Sequence, residues 1–211
     1  MNKILPILLM VLFVGGCSIV GTKSPEPSWH SVRQDGDMEI RDYDPMIVAE
    51  VTTTGERYAA INAGFRILAG YIFGGNTAQT KIAMTAPVTQ ESTGAKSEKI
   101  AMTAPVTQEA SENQNEWKVR FVMPPEYTLA SLPVPNDNRI KFLEIPAYRT
   151  AVIQFSGFNT DSNLSEHQKI LMDWLAKNNI TPIGKPIYAF YNPPWTLPFF
   201  KRNEVMVKIS G

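Results

Sequence analysis

The chain has 211 residues, and its 20 basic and 20 acidic side chains give it no formal net charge. A balanced chain lacks the basic surface that DNA or RNA binding needs, so we expect no nucleic-acid partner. Because Cys17 is the single cysteine, intramolecular disulfides and cysteine-based metal sites are excluded, and burial of apolar side chains must stabilise the fold.

The N-terminal residues resemble the signal peptide of a bacterial lipoprotein. Lys3 supplies a positive charge, residues 4–14 are apolar, and two glycines precede Cys17. The apolar run is too short to span a bilayer as a mature helix. The resemblance implies removal of residues 1–16, a diacylglyceryl thioether on Cys17 and a fatty acyl chain such as palmitate on its new amino group. An ordinary secretory signal with an incidental cysteine remains the alternative.

Ser18, the residue after the lipid-bearing cysteine, resembles the residue found in lipoproteins sent to an outer membrane. We therefore expect a membrane-anchored protein of the cell envelope that faces the periplasm. Residues 17–28 carry the glycine, serine and proline of a flexible tether, and Trp29 begins a folded domain over 29–211.

The first half of this domain has signals for a hairpin, a strand and a helix. Asp35 and Gly36 separate two alternating segments, which predicts a β-hairpin over 29–43, and residues 46–53 predict a further strand. Thr53 and Glu56 have the spacing of a capping box, so we expect a helix to begin there and to end near Phe73.

This helix is apolar on two sides. One stripe contains Phe65, Leu68, Ala69 and Ile72, and a second contains Ala60, Gly64, Ile67 and Tyr71. One face can pack on a sheet. A neighbouring loop, a second copy of the chain or an apolar ligand must cover the other face.

The pattern of 38–51 returns at 139–155 as strand, proline-containing turn and strand. A helix over about 163–178 and strands over 186–191 and 204–209 follow it. The sequence therefore predicts an α+β fold of one domain, in which two similar halves form one sheet system around a shared core.

A sharper repeat lies between the halves, because residues 81–91 recur residue for residue as 99–109. Only one copy is needed in the core. The polar composition of 89–115 predicts a loop there.

The chain carries none of the hydrolase, phosphate-loop or zinc-protease motifs, so we expect no enzyme, no catalytic residue and no metal site. His167 lies on an apolar helix stripe and is expected to be a hydrogen-bonded core or boundary residue, whereas His30 is expected to be exposed. The late segment 192–204 contains Trp195, Phe199 and Phe200 followed by Lys201. Such a loop can hold a flat apolar ring or simply cap the domain.

Four motifs together resemble the SOUL haem-binding family. They are residues 64–76, residues 81–88, residues 155–158, and residues 191–194 with 202–205. The resemblance covers about 29–209. The family spacing from Asn76 implies that the first copy of the repeat is the strand and that the second copy lies in an extension outside the core. It implies a distorted β-barrel of two pseudo-symmetric halves flanked by two helices, related to gyrase-inhibitor-like and multidrug-sensing domains.

The resemblance also implies non-covalent binding of haem or another porphyrin in an apolar cleft beside the first helix. The residues that it assigns to this cleft are Phe65, Leu68, Ala69 and Ile72 of the helix and Trp195 and Thr196 of the late loop. Where some relatives have basic residues for the propionates, this chain has Asn62 and Gly70, which leaves Arg66 as the available cation.

Three hypotheses follow. The first is a lipid-anchored, monomeric, non-enzymatic envelope protein that binds a tetrapyrrole. The second is a small-molecule hydrolase or broad binder of the gyrase-inhibitor-like type, in which Glu204 is the acid–base residue. Pairing of Glu204 with a neighbouring arginine or lysine is the structural alternative to that role. The third is an envelope scaffold that uses 89–115 as its contact surface.

Overall fold

The computed structural model describes residues 24–78 and 97–210, so the predicted signal peptide and Cys17 lie outside the described residues. Its elements are, in chain order, β1 (Trp29–Asp35), β2 (Met38–Tyr43), β3 (Met46–Thr54), α1 (Arg57–Ile72), β4 (Asn76–Thr77), β5 (Val106–Ala110), β6 (Glu116–Val122), β7 (Val134–Pro135), β8 (Lys141–Ile145), β9 (Tyr148–Phe155), α2 (Asp161–Lys177), β10 (Pro182–Phe190), a 3-10 turn (Pro198–Phe200) and β11 (Asn203–Ile209). Within these ranges, no helix has the length and apolar character needed to cross a membrane.

Nine strands form one antiparallel sheet in the order β1-β2-β9-β11-β10-β5-β6-β3-β8, and β4 pairs separately with β7. The α+β class is confirmed, but the predicted barrel is wrong because the sheet is not closed. Among the described residues, β1 pairs only with β2 and β8 pairs only with β3, so each of them is an edge strand.

The two similar halves are confirmed. The first contains β2, β3, α1, β5 and β6, and the second contains β8, β9, α2, β10 and β11. The corresponding strands of the two halves are β2 and β8, β3 and β9, β5 and β10, and β6 and β11. The sheet is symmetric about the β5–β10 pair, because corresponding strands lie at equal distances on either side of that pair. The halves meet at the β5–β10 pair, and each half lends its first strand to the other half.

Both helices pack on one face of the sheet, because the paired residues Phe121, Val106, Phe190 and Phe155 share that face. One apolar cluster joins α1 to β3, β5 and β6, and another joins α2 to β9 and β11. At Gly64 a Cβ atom would lie 2.6 Å from the Val119 side chain, so glycine sets how closely α1 approaches the sheet.

The predicted capping box is wrong. Thr53 belongs to β3, and its hydroxyl donates a hydrogen bond to the Ala60 carbonyl instead of capping the helix. Helix α1 begins after Glu56 without a side-chain cap. It ends as predicted, because Gly74 adopts a φ of 113° and Gly75 donates its N–H to the Gly70 carbonyl.

The second copy of the repeat contributes a strand of the sheet. Ile100, Val106 and Gln108 are buried, and Val106 begins β5. The prediction that residues 99–109 lie in an extension is therefore wrong, and the predicted loop over 89–115 is wrong for residues 106–110, which form β5. The first copy lies outside the described residues.

Residues 24–28, the end of the predicted tether, contact the domain. The Pro25 carbonyl accepts a hydrogen bond from the Ala104 N–H, and the Ser28 carbonyl accepts one from the Asp44 N–H. Glu26 forms an ion pair with Arg202 at 3.0 Å. The contacts of the folded domain thus extend back to residue 25.

Candidate functional site

A groove of about 680 Å³ lies along the outer side of α1. We call it the α1 groove. Its lining residues are Arg66, Ile67, Gly70, Tyr71 and Gly75 from the helix and its end, and Asn136, Asp137, Asn138 and Arg139 from the facing loop. A Cβ atom at Gly70 would meet nothing within 4 Å, so this glycine leaves open space above the helix backbone.

The facing wall of the groove is fixed to the end of α1 by several hydrogen bonds. The Tyr71 hydroxyl donates to the Pro133 carbonyl at 3.0 Å, and the Asn136 N–H donates to the Gly75 carbonyl at 3.0 Å. The short β4–β7 pair joins the same two segments. The width of the groove is therefore set by the fold and does not depend on a ligand.

Two guanidinium groups border the α1 groove. Arg66 is exposed and has no ion pair or side-chain hydrogen bond within the described part of the chain. Arg139 pairs with Asp137 through Nε and Nη2, and hydrogen bonds from Arg139 lower the pKa of Asp137 to about 2. The Nη1 of Arg139 makes no hydrogen bond among residues 24–78 and 97–210. Both arginines can thus donate to an added carboxylate.

The site residues predicted on α1 do not share one surface. Leu68 and Ile72 are fully buried between the helix and the sheet. Phe65 is half-buried and packs edge-on against Phe121, with ring centres 5.5 Å apart, and Ala69 is also half-buried. Of the five predicted positions on α1, Arg66 alone lines the α1 groove.

The predicted partners in the late loop lie between β10 and β11. Trp195 is 83% exposed, and Thr196 is half-buried with its N–H bonded to the Pro193 carbonyl. No contact between this loop and the α1 groove is seen in the described residues. Ile67, Gly70 and Arg139 are the groove residues that sequence reasoning missed. The four-residue spacing of Arg66 and Gly70, which places both on one helix face, could have identified Gly70, whereas no local signal identifies Arg139 in the facing loop.

A second groove, of about 730 Å³, lies where residues 25–28 cross the ends of β3 and β8. Its lining includes six prolines together with Glu26, Asp44 and Glu144, and no lysine or arginine. The second groove therefore presents negative charge to a ligand, and the α1 groove presents cations.

Glu204 lies on the sheet face opposite the helices and is fully buried. Its carboxylate accepts hydrogen bonds from Arg41 at 3.0 and 3.1 Å, from Arg202 at 2.7 Å and from the Tyr191 hydroxyl at 2.7 Å. The Arg41 side chain is only 3% exposed, and its guanidinium lies 4.3 Å from the centre of the Trp29 ring. We call these groups the Glu204 cluster.

The electrostatics of the Glu204 cluster are those of a stable ion pair. Burial opposes the charge of the Arg41 guanidinium, but Glu204 outweighs it and raises the pKa of Arg41. Burial, followed by the charge of Glu204, raises the pKa of Tyr191 well above 10. A carboxylate enclosed by two arginines does not favour the acid–base role considered for Glu204, and its pairing with arginine is confirmed.

The two histidines lie where the sequence predicted them. His30 is exposed. His167 is half-buried, stacks on Phe155 with ring centres 3.8 Å apart, and its Nδ1 lies 2.8 Å from the Asn163 carbonyl oxygen. Across the two described ranges, no cluster of three or more histidine, cysteine or acidic residues is arranged to hold a metal ion.

The described residues thus form an open antiparallel sheet with two helices on one face and two grooves at its borders. A family model described as SOUL heme-binding protein matches residues 24–97 and 90–208, and the chain belongs to this family. The two matched ranges overlap between the two copies of the repeat. No curated protein matches the chain.

Solved structures share the fold at low sequence identity. The C-terminal domain of EcmrR aligns with a TM-score of 0.58 and 13% identity, over 82% of this chain and 96% of that chain. A hydrolase from Listeria innocua aligns with a TM-score of 0.54 and 12% identity, over 85% of this chain and 94% of that chain. At these identities the likeness is one of fold alone.

Proposed function

We propose that this protein is a lipid-anchored protein of the cell envelope that binds a tetrapyrrole in the α1 groove. The observation that carries the proposal is the pair of guanidinium groups beside the open space at Gly70, in a chain of a haem-binding family. A tetrapyrrole with propionate groups combines a flat apolar ring with carboxylates, and the half-buried Ile67 supplies apolar surface next to the two arginines.

Charge distinguishes the α1 groove from the second groove. In the second groove, propionate carboxylates would face Asp44 and Glu144, where like charges repel, and Glu26 there is already paired with Arg202. In the α1 groove the same carboxylates would face Arg66 and the unbonded Nη1 of Arg139. A charge-assisted hydrogen bond of this kind contributes about 1.5–3 kcal/mol.

The residues that line the α1 groove include no histidine, cysteine or methionine. Bound haem would bring an iron centre, but these residues offer a surface and two guanidinium partners for carboxylates, and the one tyrosine among them, Tyr71, is buried with its hydroxyl bonded to the Pro133 carbonyl. Binding is therefore expected to depend on the shape and charge of the porphyrin. Iron-free protoporphyrin should bind within a few-fold of haem.

Arg66→Glu should weaken the binding of haem and of protoporphyrin by about 10- to 100-fold, because a carboxylate partner is replaced by a like charge. Gly70→Leu should also block binding without unfolding the helix, since its side chain would project into the groove. Titrations followed by porphyrin absorbance test both variants.

Arg33→Glu is the matched control for this titration, because it makes the same charge change at an exposed arginine on β1. It should bind porphyrin like the wild type. Failure of the wild-type protein to bind either porphyrin at micromolar concentration would contradict the proposal. Unchanged affinity in both Arg66→Glu and Gly70→Leu would place the ligand elsewhere.

The anchor is tested separately at Cys17, the proposed site of lipidation. Cys17→Ser removes the sulfur that would carry the lipid, so the variant should keep its signal peptide or be processed aberrantly. It should also lose the mass of the acyl chains. Membrane fractionation and intact-protein mass spectrometry measure both effects. A Cys17→Ser protein with wild-type fractionation and an otherwise wild-type mass would show that no lipid is attached there.

A further inference from the structure

The loop that joins β10 to β11, residues 191–202, exposes four large apolar side chains to solvent. We call it the aromatic loop. Trp195 is 83% exposed and Phe200 is 70% exposed, and Leu197 and Phe199 are each more than half exposed. Phe158, which is 60% exposed, lies beside the loop, with the Lys201 ammonium 5.6 Å from its ring centre. Contiguous exposed apolar side chains of this kind mark an interaction surface.

The aromatic loop is held in shape by its own hydrogen bonds. The Phe200 N–H donates to the Leu197 carbonyl at 2.9 Å, and the Arg202 N–H donates to the Asn192 side chain at 2.6 Å. The Gly157 N–H donates to the Pro198 carbonyl at 2.8 Å and fastens the loop to the end of β9. The apolar side chains are therefore presented outward by a defined backbone, and their exposure is a property of the fold.

The chemistry of the loop matches a lipid surface. Tryptophan and other aromatic side chains favour the boundary between lipid headgroups and acyl chains, and basic residues beside them are attracted to anionic headgroups. Residues 191–202 contain no acidic residue, and Lys201 is the cation beside the exposed aromatic side chains, because Arg202 is held by Glu204 and Glu26. A second protein chain would use the apolar surface equally well, but a lysine beside exposed aromatic side chains favours an anionic membrane.

The start of the domain lies next to the same loop. Glu26 pairs with Arg202, the last residue of the aromatic loop, at 3.0 Å. Ser24, the first described residue, is two residues from that pair, and Cys17 is seven residues further back. Seven extended residues span at most about 25 Å. A lipid on Cys17 would thus keep the base of the aromatic loop close to the bilayer.

We infer that the aromatic loop is a second membrane contact, which inserts Trp195, Leu197, Phe199 and Phe200 at the headgroup boundary of the bilayer that holds the lipid anchor. This inference rests on the proposed anchoring at Cys17. A lipid-bearing residue at the end of a tether attaches the domain to the bilayer at one point only. A second contact determines which side of the domain faces the lipid. With Trp195 at the membrane, the α1 groove binds its ligand without that side chain.

The test uses the full-length protein in vesicles of phosphatidylethanolamine and anionic phosphatidylglycerol, with or without brominated acyl chains. Bromine quenches only tryptophan that reaches the lipid. Brominated vesicles should quench part of the wild-type emission, and Trp195→Phe should abolish most of that quenching. Trp174→Phe is the matched control, since Trp174 is half-buried and bonded to Asp35. The absolute emission that this variant loses to bromine should equal that of the wild type.

Vesicle flotation separates failure of this inference from failure of the anchor. Lipidated protein that floats with the vesicles but shows no quenching of Trp195 would overturn the inference and leave the anchor intact. Protein without lipid is tested by the same quenching after it is added to vesicles, and absence of quenching there also overturns the inference. If Trp195 emission changes in the absence of lipid, when the protein forms dimers or when porphyrin is added, the loop binds a second copy of the chain or the porphyrin instead of the membrane.

Discussion

Replacing Glu204 by alanine is expected to lower the free energy of unfolding by about 3–5 kcal/mol, because it leaves buried guanidinium groups without their carboxylate. The Arg41 side chain is 3% exposed and bonds both oxygens of Glu204, and Arg202 bonds the same carboxylate. Arg41 would keep only Glu39 as an ionic partner. Urea unfolding followed by circular dichroism measures the loss.

The control for this experiment is Asp137→Ala. Asp137 binds Arg139 with comparable bidentate geometry, but this pair is exposed to solvent. Water and salt compensate an exposed pair, so Asp137→Ala should cost only a small fraction of the Glu204→Ala loss. Equal stability losses in the two variants would contradict the structural role assigned to the Glu204 cluster. Wild-type stability of Glu204→Ala would do the same, and would return Glu204 to consideration as a functional carboxylate.

The sequence predicted the secondary structure and the two-fold repeat well, because both depend on local signals. Alternation, turn residues and the paired patterns at 38–51 and 139–155 were enough to find the two halves. Closure of the sheet was predicted wrongly. It depends on whether β1 and β8 meet, which no local pattern records. The Glu204 cluster was equally hard to foresee as a whole, since Arg41 and Glu204 are 163 residues apart.

The face of α1 that contacts the sheet was ambiguous for a definite reason. The helix is apolar on two sides, and the structure buries members of both stripes, Leu68 and Ile72 from one and Gly64 and Tyr71 from the other. Gly70 belongs to neither stripe and is exposed. A sequence that marks both stripes as apolar therefore predicted a cleft from residues that hold the helix to the sheet.

The wrong choice between the two copies of the repeat also has a physical explanation. Identical residues make identical core contacts, so only the flanking segments distinguish them. The second copy runs into a tight hairpin, in which the Ser111 N–H donates to the Glu116 carbonyl and Asn115 adopts a φ of 61°. It is preceded by Glu98, which bonds Asn76 and the Tyr127 hydroxyl. These flanking contacts hold residues 99–109 at the core, whereas the prediction followed the family spacing from Asn76.

Deletion cannot test which copy fills the core. Removal of residues 81–98 and removal of residues 92–109 give the same polypeptide, since each leaves one copy between Thr80 and Ala110. Point substitutions do distinguish the copies. The same change can be made at Ile82 and at Ile100 within identical stretches of eleven residues, so the chemistry of the change is matched.

Ile100→Asp is expected to destabilise the protein by roughly 4 kcal/mol, whereas Ile82→Asp should leave stability close to that of the wild type. Ile100 is 3% exposed within the apolar cluster of α1, so the substitution removes buried methyl groups and places a carboxylate among apolar side chains. Chemical denaturation of both variants measures the difference. In Ile100→Asp the first copy could take the place of the second in the core. This rearrangement would break the hairpin at 111–116 and the contacts of Glu98, so it should restore only part of the lost stability. Equal stability of the two variants would show that either copy fills the core, and a larger loss for Ile82→Asp would show that the first copy does.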